Sequence, residues 1–133
     1  MQHTQARDLR ANLRQGDYYV QIIPITHEFR FHVFNGQSIR AGEKVPRPGA
    51  TADPVFRTHD TGWIMDYANR PHLRAQDREI AKRAVASLGY AFGAVDLGIT
   101  TGGRAVVFEV NAAPGLEGGT IEKYADAVWQ SSQ

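Results

Sequence analysis

Ala94-Val95-Asp96-Leu97-Gly98-Ile99-Thr100-Thr101-Gly102-Gly103-Arg104-Ala105-Val106-Val107-Phe108-Glu109-Val110-Asn111 reads as two strands joined by a tight turn. Gly102-Gly103 suits a two-residue type I′ turn, which requires positive φ at both central positions, so residues whose numbers total 205 are expected to pair. Side chains alternate along a strand, and this register sets Val95, Leu97 and Ile99 against Val110, Phe108 and Val106 as one apolar face. The opposite face carries Asp96 directly across from Glu109, with Ala94, Gly98, Val107 and Asn111 around them.

Like charges facing each other on a sheet repel. At a separation of about 5 Å and an effective dielectric of about 20, the Coulomb cost is roughly 3 kcal/mol before screening. A divalent cation held by the two carboxylates and the Asn111 amide oxygen would relieve it, and three hard oxygen donors suit Mg²⁺ or Mn²⁺. Water screening on a solvated face, a protonated carboxyl or an arginine partner would relieve it too.

The 133 residues fit one domain, and 42 % hydrophobic content with 10 % aromatic is enough for one core. Fifteen basic against fourteen acidic residues, a net charge of +1, argue against a dedicated polyanion binder, so local clusters must carry any phosphate recognition. Cysteine is absent, which excludes disulfides, thiolate metal sites and cysteine nucleophiles and permits a reducing compartment. The polar stretch Met1–Gly16 does not resemble a signal peptide, and the apolar run Tyr18–Ile25 is short and broken by Pro24. With no run near the ~20 apolar residues of a membrane span, a cytoplasmic protein with no membrane contact is expected.

Along the chain, Thr4 to Leu13 reads as a short helix, and residues 1–17 as an N-terminal helical segment ahead of a lobe over 18–133. Tyr18–Ile23 reads as a strand, followed by a connection. Glu28–Phe34 then alternates, with Phe29, Phe31 and Val33 opposite Glu28, Arg30 and His32. Asn35-Gly36 marks a hairpin into Gln37–Val45, with a bulge or longer loop needed to match Val33 with Ile39 and Phe31 with Ala41. Val45–Thr61 is a long Pro- and Gly-containing loop, basic at Lys44, Arg47 and Arg57. Ala75–Leu88 is the clearest helix, with Ile80, Ala81, Ala84, Val85 and Leu88 inward, Asp77 toward water, and Gly89 closing it. Thr120 is expected to cap a last helix whose buried stripe is Ile121, Tyr124, Ala125 and Val128. The fold class is therefore α+β, an antiparallel sheet of two hairpins with helices packed on one face.

Arg30, with Lys44 and Arg57 near its rim, is placed to neutralise phosphate oxygens beside the carboxylate pair. The glycine-rich stretch Pro114–Gly119 leads into a helix N-terminus, which favours anions. His27, His32, His59 and His72 show no ligand spacing, Trp63 and Tyr67 read as packing rather than stacking platforms, and His59-Asp60 reads as a catalytic pair or as turn chemistry.

The order of these pieces resembles the ATP-grasp superfamily over about Tyr18 to Trp129. The resemblance is carried by Phe92-Gly93-Ala94-Val95-Asp96-Leu97-Gly98, by Phe108-Glu109-Val110-Asn111-Ala112-Ala113-Pro114-Gly115-Leu116-Glu117-Gly118, and upstream by Glu28-Phe29-Arg30 and Val33-Phe34-Asn35-Gly36. In appearance it is closest to the ribosomal-protein glutamate ligase branch and to bacteriophage ATP-grasp proteins. The resemblance implies the second lobe of a fold that binds ATP between two α+β lobes and activates a carboxylate as an acyl phosphate for an amine or thiol. It implies that Asp96, Glu109 and Asn111 bind Mg²⁺ (or Mn²⁺) and that Arg30 stabilises the transferred phosphate. It further implies that Gln21, Ile22 and Ile23 form the linker against adenine, and that Lys44 and Arg57 contact phosphate or substrate.

The seventeen residues before Tyr18 are too few for the lobe that supplies the lid and the phosphate-binding lysines. Without a lid an acyl phosphate is exposed to hydrolysis. One expectation is therefore a portion of an ATP-dependent carboxylate–amine ligase, completed by further sequence or by a partner chain. The alternative is a non-catalytic remnant that serves as a nucleotide-binding or assembly module and self-associates through an exposed edge. Nucleic-acid binding through Arg7, Arg10 and Arg14 is disfavoured, because such a helix face is usually just solvated.

Overall fold

The computed structural model describes residues 23–116 and 118–133. Seven elements follow in order: β1 (Ile25–Phe34), β2 (Gln37–Pro46), β3 (Trp63–Asp66), α1 (Ala75–Ser87), β4 (Phe92–Thr100), β5 (Ala105–Asn111) and α2 (Gly119–Ser131). The strands make one five-stranded antiparallel sheet ordered β3-β2-β1-β4-β5, so the class is α+β as the alternation patterns required. The helical segment expected over 1–17 and the strand expected from Tyr18 lie outside the described residues, except for Ile23, which sits in the irregular stretch before β1.

Alternation puts Phe29, Phe31 and Val33 of β1, Ala41 of β2 and Val95, Leu97 and Ile99 of β4 on one face, where α1 covers them with Ala81 and Val85. Each large side chain buried there contributes about 1.5–3 kcal/mol. Gly89, at φ +70°, ends α1: its amide bonds to the Ala86 carbonyl while the Tyr90 amide reaches that of Val85, a pattern that satisfies two orphan acceptors. Two assignments on and beside α1 change, one in each direction. Leu88 is exposed, and Asp77, expected in water, is completely buried and held by both arms of the Arg74 guanidinium at 2.7 and 2.8 Å.

The first hairpin turns on Asn35 (φ +46°) and Gly36 (φ +76°), a two-residue turn, and the expected bulge falls between His32 and Val33. Ile39 is the extra residue, so Val33 pairs with Ser38 while Phe31 keeps Ala41. The second hairpin differs from expectation in its turn. Thr100 accepts from the Gly103 amide at 2.9 Å, and the Thr100 amide donates to Arg104 at 2.8 Å, so three residues form the loop and only Gly103 has positive φ. Ile99 therefore pairs with Ala105 and Leu97 with Val107. A bulge at Phe108 absorbs the offset, after which Asp96 faces Glu109 and Val95 faces Val110. Val107 takes the inward place assigned to Phe108, whose ring lies exposed over Gly98, where an added Cβ would come within 2.5 Å of it.

The sequence does not announce β3, which pairs Trp63–Asp66 with Pro46–Glu43 and gives β2 its second neighbour. Trp63 is buried and donates from its indole nitrogen to the Asp53 carbonyl, which fixes the long loop to the sheet and fits the packing role assigned to it. The helices divide between the two faces instead of sharing one. α2 lies on the face that carries Arg30 and Asp96, where Phe34 and Phe92 offer an aromatic end to the sheet and Tyr124 meets both edge-on. Only Thr120 and Tyr124 of α2 are buried. Of the expected stripe Tyr124 is buried while Ile121, Ala125 and Val128 are exposed among the described residues, as is Trp129. Thr120 is not the cap: Gly118 holds that position, and the Thr120 hydroxyl accepts from Arg40 at 2.8 Å.

Candidate functional site

Arg30, Asp96 and Glu109 lie in one row across β1, β4 and β5, because the pairings Arg30 with Asp96 and Asp96 with Glu109 are in direct register. Arg30 donates to Asp96 twice, Nε to Oδ1 at 2.9 Å and Nη2 to Oδ2 at 3.3 Å. That hydrogen bonding raises the arginine pKa further, against the pull of burial, with Asp96 and Glu109 adding attraction. An arginine partner, one of the ways to relieve the acid pair without a metal, is thus present.

Asn111 ends β5 on the same side, and its Oδ1 accepts from the Ala113 amide at 2.9 Å, which turns the chain into the glycine-rich segment. Arg30, Ala94, Asp96, Glu109, Asn111, Pro114 and Gly115 enclose a small polar cavity of about 60 Å³. This is room for about two waters or one partly hydrated cation. The donor set is two carboxylates and an amide oxygen that keeps a second lone pair, all hard donors suited to Mg²⁺ or Mn²⁺, so the residues fit the ion that the sequence suggests.

Arg30 and Gly115 also border a larger cavity of about 560 Å³, with Lys44, Arg57, Trp63, Met65 and Tyr67 among its walls. That size accommodates a nucleotide-sized ligand. Both basic residues assigned to phosphate or substrate are thus at one opening, though each is already engaged. Lys44 donates to Glu28 at 2.7 Å, and Arg57 donates to the Ile25 carbonyl at 3.1 Å with its guanidinium 4.4 Å from the Trp63 ring. Burial draws the Arg57 pKa down, with Glu28 opposing. Gln21 and Ile22 lie outside the described residues, and Ile23 is half-buried. His59 and Asp60 are both exposed at 3.8 Å, and the His59 carbonyl accepts from the Gly62 amide in a turn.

Sequence reading missed a buried polar relay beside this cavity. His32, 1 % exposed, meets the Tyr124 hydroxyl through Nδ1 at 3.0 Å and the Tyr67 hydroxyl through Nε2 at 3.3 Å, while Arg40 lies 3.7 Å over the Tyr67 ring. Burial pushes His32 down to about 4, with Arg30 and Arg40 adding to the shift, and pushes Tyr124 up to about 12. The available signal was the polar parity of Glu28, Arg30 and His32 on β1.

The five-stranded α+β lobe has the fold of one part of the ATP-grasp ligases. The solved structures it resembles are ATP-grasp ligases. PsnB complexed with a minimal precursor aligns with a TM-score of 0.58 at 19 % identity, over 82 % of this chain and 35 % of that one. PsnB complexed with minimal precursor, Mg and ADP gives 0.57 at 19 %, over 82 % and 34 %. A D-alanine–D-alanine ligase from Bacillus anthracis gives 0.51 at 20 %, over 84 % and 36 %. At these identities the likeness is one of fold, and the chain spans about a third of the length of the ligases it matches. No protein-family model and no curated protein matches the sequence. No helix among the described residues is long and apolar enough to cross a membrane.

Proposed function

We propose that the lobe binds Mg·ATP as the metal-holding part of an ATP-dependent carboxylate–amine ligase that works through an acyl phosphate. The carrying observation is the row Arg30–Asp96–Glu109, closed by Asn111 into a polar cavity that opens beside a nucleotide-sized one. Asp96, Glu109 and Asn111 would hold Mg²⁺ (or Mn²⁺), which when bound offsets the charge of the phosphate oxygens. Arg30 is the catalytic residue of this reading: its guanidinium steadies the transferred phosphate and gives up part of its bond to Asp96 as it does so. Lys44 and Arg57 would supply positive charge along the cavity, and the family resemblance alone assigns Gln21, Ile22 and Ile23 to the adenine.

The titration that tests this is calorimetry with Mg·ATP on the wild-type chain and on Asp96→Asn/Glu109→Gln. Metal-dependent nucleotide binding is expected to vanish in the double variant while its far-ultraviolet circular dichroism is unchanged. Equal affinity in the two proteins would overturn the assignment.

The exposed Ile121, Val128 and Trp129 of α2 favour a second reading, a non-catalytic nucleotide-binding or assembly module that self-associates or docks a partner chain through that helix. Sedimentation separates the two. A monomer at every concentration removes self-association, and Trp129→Glu is expected to dissociate any dimer.

A further inference from the structure

Glu43 is on the α1-bearing face of the sheet, since it pairs with Phe29 and alternates with Lys44, which faces the other way. Its side chain is 5 % exposed. A buried carboxylate needs a cation or several donors, yet among the described residues its side-chain partners are two imidazoles and no lysine or arginine. His72 Nδ1 lies 3.0 Å from Oε1 and 3.3 Å from Oε2, and His27 Nδ1 lies 3.9 Å from Oε1. One ligand atom from each residue falls within 4.8 Å of the other two.

We infer that His27, Glu43 and His72 form a second cation site, which takes Zn²⁺ on the face of the sheet opposite Asp96. Two imidazole nitrogens and one carboxylate with an open fourth position make a set suited to Zn²⁺. With metal–ligand bonds of 2.0–2.1 Å, neighbouring ligand atoms in a tetrahedral site lie about 3.4 Å apart. The observed 3.0 and 3.9 Å fall on either side of that spacing.

The two imidazole rings are stacked, with centroids 3.9 Å apart and planes 19° from parallel, so in-plane lone pairs cannot share one ion until a ring tilts. His72 is free to tilt, because its side chain is 51 % exposed on the connection between β3 and α1. His27 and Glu43 stay fixed by β1 and β2. Asp66 stands directly across from Glu43 on β3 and adds negative potential, although its own Oδ1 caps the Ala68 and Asn69 amides. The bound ion would tie the connection that carries His72 to the centre of the sheet, a stabilising role that needs no nucleotide.

Competition titration of Zn²⁺ against a chromophoric chelator, on the tag-free 133-residue chain, is the test. One Zn²⁺ per chain is expected, with a Zn²⁺-dependent rise in melting temperature. His72→Ala, a substitution at an exposed side chain, is expected to weaken uptake more than tenfold and to abolish that rise. Asp96→Asn/Glu109→Gln is expected to keep both, so failure of the nucleotide site and failure of this one are separable. No stoichiometric uptake by the wild type, a loss under tenfold in His72→Ala, or loss of the ion in the Asp96/Glu109 variant would each overturn the proposal.

Discussion

Arg30 grips Asp96 with two nitrogens, at 2.9 and 3.3 Å, while Glu109 faces the same carboxylate from the far strand. The guanidinium therefore occupies the electrostatic role that a bound cation would share. Its removal leaves two opposed acids with nothing between them, which costs about 1 kcal/mol for a pair of this exposure. Arg30→Gln is expected to melt a few degrees lower without metal, and Mg²⁺ alone is expected to restore much of the loss. Wild-type melting should respond weakly to Mg²⁺ in the absence of nucleotide. Thermal unfolding of both proteins with and without Mg²⁺ checks this, and identical responses would deny Arg30 that role.

The two glycines of the second hairpin are not equivalent. Gly103 sits at φ +83° with open space around it, whereas Gly102 has no positive φ and its nearest neighbour to an added Cβ is 3.9 Å away. An alanine at 103 is expected to cost about 1 kcal/mol through backbone strain, and one at 102 close to nothing. Urea unfolding of the two single variants distinguishes this three-residue loop from a two-residue turn, in which both substitutions would be costly.

That difference explains what was legible. Alternating Val, Leu and Ile fixed which face of β4 is buried, and the pairing of Asp96 with Glu109 followed. It came out right although the loop was misread, because the offset from three loop residues is cancelled by the Phe108 bulge just before the acids. Nothing in composition marks a bulge beside an aromatic. The α2 stripe shows another limit: periodicity reports that Ile121 and Val128 would suit burial, not that any surface covers them. Asp96, Glu109 and Asn111 were readable because parity within one hairpin puts them on the same side, whereas parity gave Arg30 only its polar face and the β1–β4 register sets it against Asp96. His27, Glu43 and His72 were not, because they meet only through the β1–β2 register and a connection returning from β3.

Asp77 is the buried charge that helical periodicity placed in water, and the clue was Arg74 three residues earlier on the same side. The carboxylate is fully buried and both of its oxygens accept from Arg74, whose remaining amino group reaches the Gly103 carbonyl at 3.0 Å. Arg74→Ala strands an uncompensated charge beneath α1 and is expected to cost about 3 kcal/mol. Asp77→Asn/Arg74→Ala should cost less than Arg74→Ala alone, since the stranded charge is gone. Denaturant midpoints for the single and double variants test the sign, and a larger loss in the double variant would place the penalty elsewhere.

Acid should weaken the fold through His32. Its folded pKa is about 4 because burial disfavours the imidazolium, while the unfolded chain titrates near the ordinary 6.5. The unfolded state therefore binds the proton first as pH falls. Stability attributable to this group is intact above about 6.5 and lost progressively from there toward 4, by up to about 3 kcal/mol. Neutral His32 can donate from one ring nitrogen and accept at the other, which satisfies the Tyr124 and Tyr67 hydroxyls together. Protonation turns both nitrogens into donors and forces both hydroxyls to accept. His32→Gln keeps a donor and an acceptor without a titrating group, so its unfolding free energy is expected to be lower than wild type at pH 7.5 yet flatter between pH 6.5 and 4. Chemical denaturation across that range checks the slope, and parallel curves for the two proteins would mean that another group carries the acid sensitivity.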